Sequence, residues 1–219
     1  MTSTDQARKA FLLGSLFLVV LIVGGLIWAV SAPGESGGTG GAGFRDDNDP
    51  SFGPGEATLV VRVFGDFQCP ACKAAEAGFR YAKNTYGDKV RFVWNDFPLQ
   101  SIHQNAFAAA NAARCAEAQG KFWEYHDRLY DDQSGWSELP SPQQAFVGYA
   151  EALGLDKGAF ESCVAERKYQ SKINDDLTEG SQNGVNATPT FFIGDAKFPG
   201  VLDQTAWDRE IQARLTAQK

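Results

Sequence analysis

Cys69 and Cys72, separated only by Pro70 and Ala71, are the side chains in this sequence best placed to do chemistry. An apolar run from Leu59 to Phe64 precedes them and reads as a strand. An Ala-rich stretch from Ala71 to Tyr86 follows and reads as a helix. At a strand-to-helix turn this spacing lets two thiols close into a small disulfide. It also sets the first thiol at the helix N-terminus, where unpaired N–H groups and the macrodipole favour a thiolate. A stabilised thiolate leaves readily, so a disulfide in this position is oxidising. The implied chemistry is thiol–disulfide exchange. A zinc site and a purely structural disulfide are the other uses of the motif. Zinc fits poorly, because Cys115 and Cys163 form no second pair of this spacing and His103 and His126 lack ligand spacing.

The elements that must position these cysteines follow from the rest of the pattern. Thr58 to Gly65 reads as a central strand, 70–86 as a helix ending near Gly87, and Lys89 to Asn95 as a second strand. This β-α-β order favours parallel pairing with a right-handed crossover. From about 102 to 183 the sequence reads as helices only. They are Ile102 to Gly120, Lys121 to Asp131, Gln143 to Leu153, Ala159 to Arg167 and Tyr169 to Gln182. Strand chemistry returns at Thr190 to Gly194, with Lys197-Phe198 as an antiparallel partner. Gln204 to Thr216 closes the chain as a helix with Trp207, Ile211 and Leu215 on one stripe.

The beginning of the chain sets the compartment. Residues 11–30 form an uncharged apolar stretch of bilayer length, preceded by Arg8 and Lys9. The positive-inside rule makes 1–10 cytoplasmic, 11–30 a single transmembrane signal anchor and the remainder exported. A cleaved signal peptide ending near Ser31 is the rival reading. Residues 31–56, rich in Gly with Pro33, Pro50 and Pro54, read as a flexible linker spanning roughly 25–30 Å. The 219-residue chain carries 20 basic and 27 acidic side chains, a formal net charge of −7, and no basic cluster in its exported part. Nucleic acid and anionic lipid headgroups are therefore excluded as main partners.

Four stretches give the pattern a family. Asp66-Phe67-Gln68-Cys69-Pro70-Ala71-Cys72, Asp96-Phe97-Pro98-Leu99 with Ile102-His103, the run from Ala112 to Cys115 with Gln119 to His126, and Gly184 to Phe192 resemble the DsbA family. The resemblance covers roughly 58–216. It implies an α/β thioredoxin fold interrupted by an all-helical domain at about 102–183, within a DsbA-like domain at 57–219. It also implies an extracytoplasmic thiol–disulfide oxidoreductase that donates disulfides to exported, unfolded or partly folded proteins. Cys69 is then the exposed nucleophile and Cys72 the resolving thiol. Pro70 and Ala71 tune the site, and the Thr188-Pro189 bond, cis in that family, presents backbone to an extended substrate. A quinone-linked membrane oxidase of the DsbB or vitamin K epoxide reductase (VKOR) type would reoxidise the pair. No organic cofactor and no metal are needed. The protein would sit in the bacterial cell membrane, single-pass, with its C-terminal domain outside.

The chain departs from the family in two places. Ala71 stands where His or Tyr is common, which points to a milder oxidant. Val63 occupies the position of a buried acid that assists the resolving thiol, with Asp66 as a possible substitute at the strand end. Cys115 and Cys163, an even pair in an exported chain, are expected to form a structural disulfide, with an electron relay to Cys69-Cys72 or two free thiols as alternatives. His103 and His126 read as surface or packing residues. Phe122, Trp123 and Tyr125 read as core, and Phe67 and Phe198 as an apolar rim around the disulfide. A reductase or isomerase using the same cysteines is the enzyme alternative. A non-catalytic chaperone-like module is the alternative of another class.

Overall fold

Five strands form one sheet: β1 (Ser51–Phe52), β2 (Leu59–Gly65), β3 (Val90–Asp96), β4 (Thr190–Ile193) and β5 (Ala196–Pro199). Their spatial order in the computed structural model, which describes residues 43–45 and 49–217, is β1-β3-β2-β4-β5. β2 runs parallel to β3 and antiparallel to β4, so it is central and buried on both faces. That explains its near-continuous apolar sequence. Val61 and Val63 face one core, while Phe64 joins Phe97, Val185 and Phe192 on the opposite face. Arg62, as alternation requires, shares that opposite face and lies 5.0 Å from the Phe44 ring. Gly65 is needed because a Cβ there would come within 2.2 Å of the Trp94 ring.

Helix α1 (Pro70–Tyr86) makes the crossover between β2 and β3. Pro70 sits in its first turn, where a missing N–H costs nothing. The helical insert comprises α2 (Ala106–Glu117), α3 (Phe122–Asp131), α4 (Gln133–Trp136), α5 (Gln143–Ala152), α6 (Lys157–Ala165) and α7 (Gln170–Gln182). The expected insert is therefore present, with one unanticipated short helix, α4. Small side chains let α2 be covered on every side: Ala106, Ala109, Ala112, Ala113 and Ala116 are all buried. Helix α8 (Gln204–Ala217) buries Trp207 and Ile211 and leaves Leu215 partly covered.

The expected linker to residue 56 needs correction at its end. Asp49 and Pro50 are buried, and Ser51–Phe52 pair with β3 as an edge strand. The Pro50 carbonyl accepts from the Trp94 N–H at 2.9 Å. Charge pairing holds this segment in place. Arg114 of α2 donates to Asp49 at 3.0 Å, Asp96 at 2.6 Å and Asp176 at 2.7 Å, and Lys172 lies 2.6 Å from Asp49. The cytoplasmic segment 1–10, the anchor 11–30 and most of the linker fall outside the described residues. Among the described residues no helix is long and apolar enough to cross a membrane.

Candidate functional site

The two thiols lie where β2 hands over to α1. Cys69 is the residue preceding the helix and Cys72 lies one turn in. Both are free thiols, so the structure is that of the reduced pair, and both are buried: Cys69, 7% exposed against 2% for Cys72, is the more accessible sulfur but not the exposed one expected. Cys69 Sγ–H donates to the Thr188 carbonyl at 3.5 Å, and the Thr188-Pro189 bond is cis. The structure thus brings together the four residues expected to make the site, Cys69, Cys72, Thr188 and Pro189, from opposite ends of the chain.

The two sulfurs have opposite acidities. Cys69 is pulled from an ordinary 9.0 to about 5. The main cause is the hydrogen bond from the Cys72 thiol; burial opposes it, and the Thr188 side chain and the Cys72 and Ala71 amides reinforce it. Cys72 is pushed well above its ordinary range, chiefly by burial and then by the Cys69 hydrogen bond and charge. Thr188 Oγ1 is buried with no other hydrogen-bond partner, which leaves it for the sulfur. A Thr188→Val variant is expected to raise the Cys69 pKa by about one unit, the scale of one hydrogen bond to a charge. Thiolate absorbance against pH measures it, and an unchanged midpoint would show that Thr188 contributes nothing.

Side chains of the insert fix the backbone of this turn. Gln133 Nε2 donates to the Phe67 carbonyl at 2.8 Å and the Cys69 carbonyl at 3.1 Å. Gln68 Nε2 donates to the Ser137 carbonyl at 2.8 Å, and its Oε1 accepts from the Asn105 N–H at 2.7 Å. Tyr130 donates its hydroxyl hydrogen to the Asp66 carbonyl at 3.2 Å. Sequence reasoning missed Gln68, Asn105 and Gln133, because a neutral amide carries no local signal of its distant partner. A groove of about 380 Å³ lined by Gln68, Pro70, Ile102, His103 and Glu138 opens beside the turn, with Ile102 70% exposed. A larger groove of about 830 Å³ between α5 and α6 includes none of the site residues.

Asp66 does not serve as a substitute acid at the resolving thiol. Its Oδ1 accepts from the Gln68 N–H at 2.8 Å, and its Oδ2 accepts from the Leu99 N–H at 2.9 Å and pairs with His103 Nδ1 at 2.7 Å. Both oxygens are thus committed to holding the turn and the chain beyond β3. His103 is part of that clamp, and His126 is wholly buried among aromatic rings. Phe67 is no rim residue: it is 1% exposed and stacks on Trp94 at 4.7 Å. The strand's alternation ends at Gly65, so the turn aims Phe67 inward. Phe198 is half-buried beneath Arg214. Phe122 and Tyr125 are core as expected, with Trp123 packed against them.

Cys115 of α2 and Cys163 of α6 are joined in a disulfide, with Cα atoms 5.9 Å apart. It clamps two insert helices and shares no atom with the exchange site. Replacing both cysteines by alanine is expected to cost about 2–5 kcal/mol of stability, measured by denaturant unfolding. Loss of exchange activity in a still-folded double variant would instead point to a relay.

A family model described as Thioredoxin matches residues 45–213. The chain is 34% identical over 171 residues to the Na(+)/H(+) antiporter NhaA 1 of Mycolicibacterium vanbaalenii, a match covering 76% of this chain and 27% of that protein. The chain spans about a quarter to a third of the length of the curated relatives it matches. Among solved structures, a thioredoxin-like oxidoreductase from Silicibacter pomeroyi superposes with a TM-score of 0.66 at 24% identity, covering 78% of this chain and 94% of that one. DsbA from Chlamydia trachomatis superposes with a TM-score of 0.71 at 18% identity, covering 80% and 95%. With the CxxC turn, the cis-proline loop and the helical insert in place, the chain has the fold of the DsbA structures it superposes on and belongs to the thioredoxin family.

Proposed function

We propose that the protein donates disulfides to exported proteins on the outer side of a bacterial membrane, to which 11–30 anchors it. The observation that carries this reading is the opposed acidity of the two thiols: Cys69 ionises at about 5 while Cys72 stays protonated. A substrate thiolate attacks Cys69 of the oxidised pair, forming a mixed disulfide as Cys72 leaves and takes a proton. A second substrate thiolate then attacks the substrate sulfur of that bond, and Cys69 departs as a stable thiolate. The substrate is oxidised and the pair reduced by two electrons. The stability of that leaving group favours donation. The Thr188 carbonyl beside Cys69 and the groove carrying Ile102 offer an extended substrate backbone and apolar contact. A quinone-linked membrane oxidase of the DsbB or VKOR type would return the pair to its disulfide form.

The opposed acidity also sets the pH dependence of the potential. Between about pH 5 and the higher value of Cys72, reduction consumes two electrons and one proton. The midpoint potential is then expected to fall by about 30 mV per pH unit, and by about 59 mV below pH 5, where both sulfurs are protonated. Stability follows the same sign. Folding lowers the Cys69 pKa, so the reduced fold gains on the oxidised one as pH rises from about 5 towards 9. It loses that advantage as pH falls through about 5. Glutathione redox titration across pH 4–8 measures the break. A potential at or below that of a reductase such as thioredoxin, about −270 mV, would move the assignment from donor to reductase.

A further inference from the structure

The chain carries two histidines, and the fold leaves one buried ring nitrogen unsatisfied. His126 of α3 is wholly buried, with the Trp94 ring 4.9 Å away and the Trp123 ring 5.3 Å away. Its Nδ1 stands 2.9 Å from Asp127 Oδ1. An ionised carboxylate only accepts, so Nδ1 donates in that bond. Nε2 is buried with no hydrogen-bond partner, and Glu76 Oε1 of α1 stands 3.7 Å from it. In the neutral ring this nitrogen presents a lone pair to an oxygen that also presents lone pairs. Two such atoms, buried and facing, are complementary to a cation held between them.

The surroundings match a metal-binding imidazole. A ligating histidine usually donates its other N–H to a carboxylate, which fixes the tautomer and the ring orientation. Asp127 does this for His126. A donor atom from each of Glu76, His126 and Asp127 lies within 4.8 Å of the other two. Two bonds of about 2.0–2.1 Å, the lengths zinc makes to imidazole and carboxylate, span the gap between Nε2 and Oε1 at an angle somewhat wider than tetrahedral. Spacing along the sequence offers no such site, because Glu76 and His126 meet only where α3 packs on α1.

Two cations already stand nearby on α1. Arg80 Nε donates to Glu76 Oε2 at 3.1 Å and lies 3.4 Å from Asp127 Oδ1, while its Nη1 reaches Asp131 at 2.9 Å. Lys83 sits over the Trp123 ring at 4.0 Å. Even so, burial holds the Glu76 carboxyl above its ordinary range, against the lowering pull of His126 and Arg80. The negative charge there is therefore incompletely compensated. Arg80 holds the far oxygen, Oε2, and is one-third exposed, so its side is the way in from water.

We propose that Glu76 and His126 bind a divalent metal ion of the zinc class, with Asp127 orienting the imidazole and Arg80 competing as the resident cation. Imidazole with carboxylate suits zinc, cobalt or nickel, whereas calcium and magnesium take oxygen ligands. The ion would pin α3 of the insert to α1 of the thioredoxin core. The site contains neither exchange cysteine and does not depend on the exchange reading.

The test is titration of the untagged full chain, oxidised and in detergent, with Co²⁺ near pH 7. Oxidation closes Cys69 and Cys72, and Cys115 and Cys163 are already bridged, so no thiolate competes. One equivalent of Co²⁺ is expected to quench tryptophan fluorescence, because Trp94 and Trp123 flank His126. It is also expected to shift the ring resonances of His126 and leave those of His103 in place. Zn²⁺ should displace Co²⁺, restore the fluorescence and raise the melting temperature of the native chain. His126→Phe, Glu76→Gln and Asp127→Asn are each expected to weaken binding by at least about tenfold. Arg80→Gln, which removes the competing cation, is expected to tighten it. That variant and the native resonances keep the test sound should a ligand variant fail to fold. Absence of saturable uptake by the native chain, or a shift of His103 in place of His126, would overturn the site. Unchanged affinity in folded Glu76→Gln would overturn its ligand set, and unchanged affinity in Arg80→Gln the competition.

Discussion

A Cys69→Ser variant is expected to transfer disulfides to a reduced unfolded protein no faster than the uncatalysed background. Given a substrate that already holds a disulfide, Cys72→Ser is expected to accumulate a covalent complex on Cys69, whose thiolate attacks that disulfide. The two outcomes differ because the sulfurs differ. Cys69 meets Thr188, is the less buried of the two sulfurs and ionises at about 5, so it is the one expected to receive substrate sulfur and to leave from it. Cys72 is almost wholly buried and held protonated, so substrate does not reach it. Loss of Cys69 removes the only attack point. Loss of Cys72 leaves the Cys69 thiolate to attack a substrate disulfide, which releases one substrate sulfur as thiolate, but removes the neighbouring thiol that would resolve the mixed disulfide. Non-reducing gels and mass spectrometry of the trapped species read both results. Full disulfide transfer by Cys69→Ser would sink the exchange reading and favour a binding module.

The second large effect is on stability. Arg114 is buried, and its guanidinium reaches Asp49, Asp96, Asp176 and, at 3.2 Å, Glu117. Replacing it by Met leaves buried Asp96 without a cation and Asp49 and Asp176 sharing Lys172 alone. Breaking a buried ion pair from one side costs about 3–5 kcal/mol. For a domain of this size that is a fall of roughly 6–20 °C in Tm. Calorimetry of the oxidised protein is the measurement, and a Tm within 2 °C of native would refute the assignment. The same cluster predicts that a chain beginning at residue 57, the boundary that composition suggests, is less stable than one beginning at 43. It lacks Asp49 and the edge strand β1. Equal denaturation midpoints for the two chains would contradict this.

That boundary illustrates what the sequence could and could not convey. β2, β3 and the helices were legible because each carries its own periodicity over many residues. The insert was legible from its alanines and from glycines placed as caps. The pairing of Cys115 with Cys163 was legible from an even cysteine count in a chain read as exported, and the approach of Thr188 to Cys69 from the family resemblance. Residues 49–52 were not. They contain a single large apolar side chain, and they are held by Arg114 and Lys172 from far along the chain. For a related reason Asp66, left open in the sequence as a substitute acid, is settled only by distant partners. Its position near the cysteines suggested acid–base work, whereas its oxygens are taken up by the Gln68 and Leu99 amides and by His103. Phe67 was misread because nothing in the local sequence shows that the turn folds it inward onto Trp94.

The hydrogen bonds from Gln133 to the Phe67 and Cys69 carbonyls have a consequence for how this architecture can be modified. The insert is spliced between β3 and β4, so it looks like a cassette that could be exchanged or deleted to leave a minimal redox protein. It is not separable in that way. The backbone that carries Cys69 is anchored on side chains the insert supplies, so the core and the insert form one geometric unit at this turn. Transplanting Cys69 to Cys72 into another host would carry the dipeptide chemistry but not the aim. Changing Pro70 or Ala71 in place would retune the chemistry and keep it.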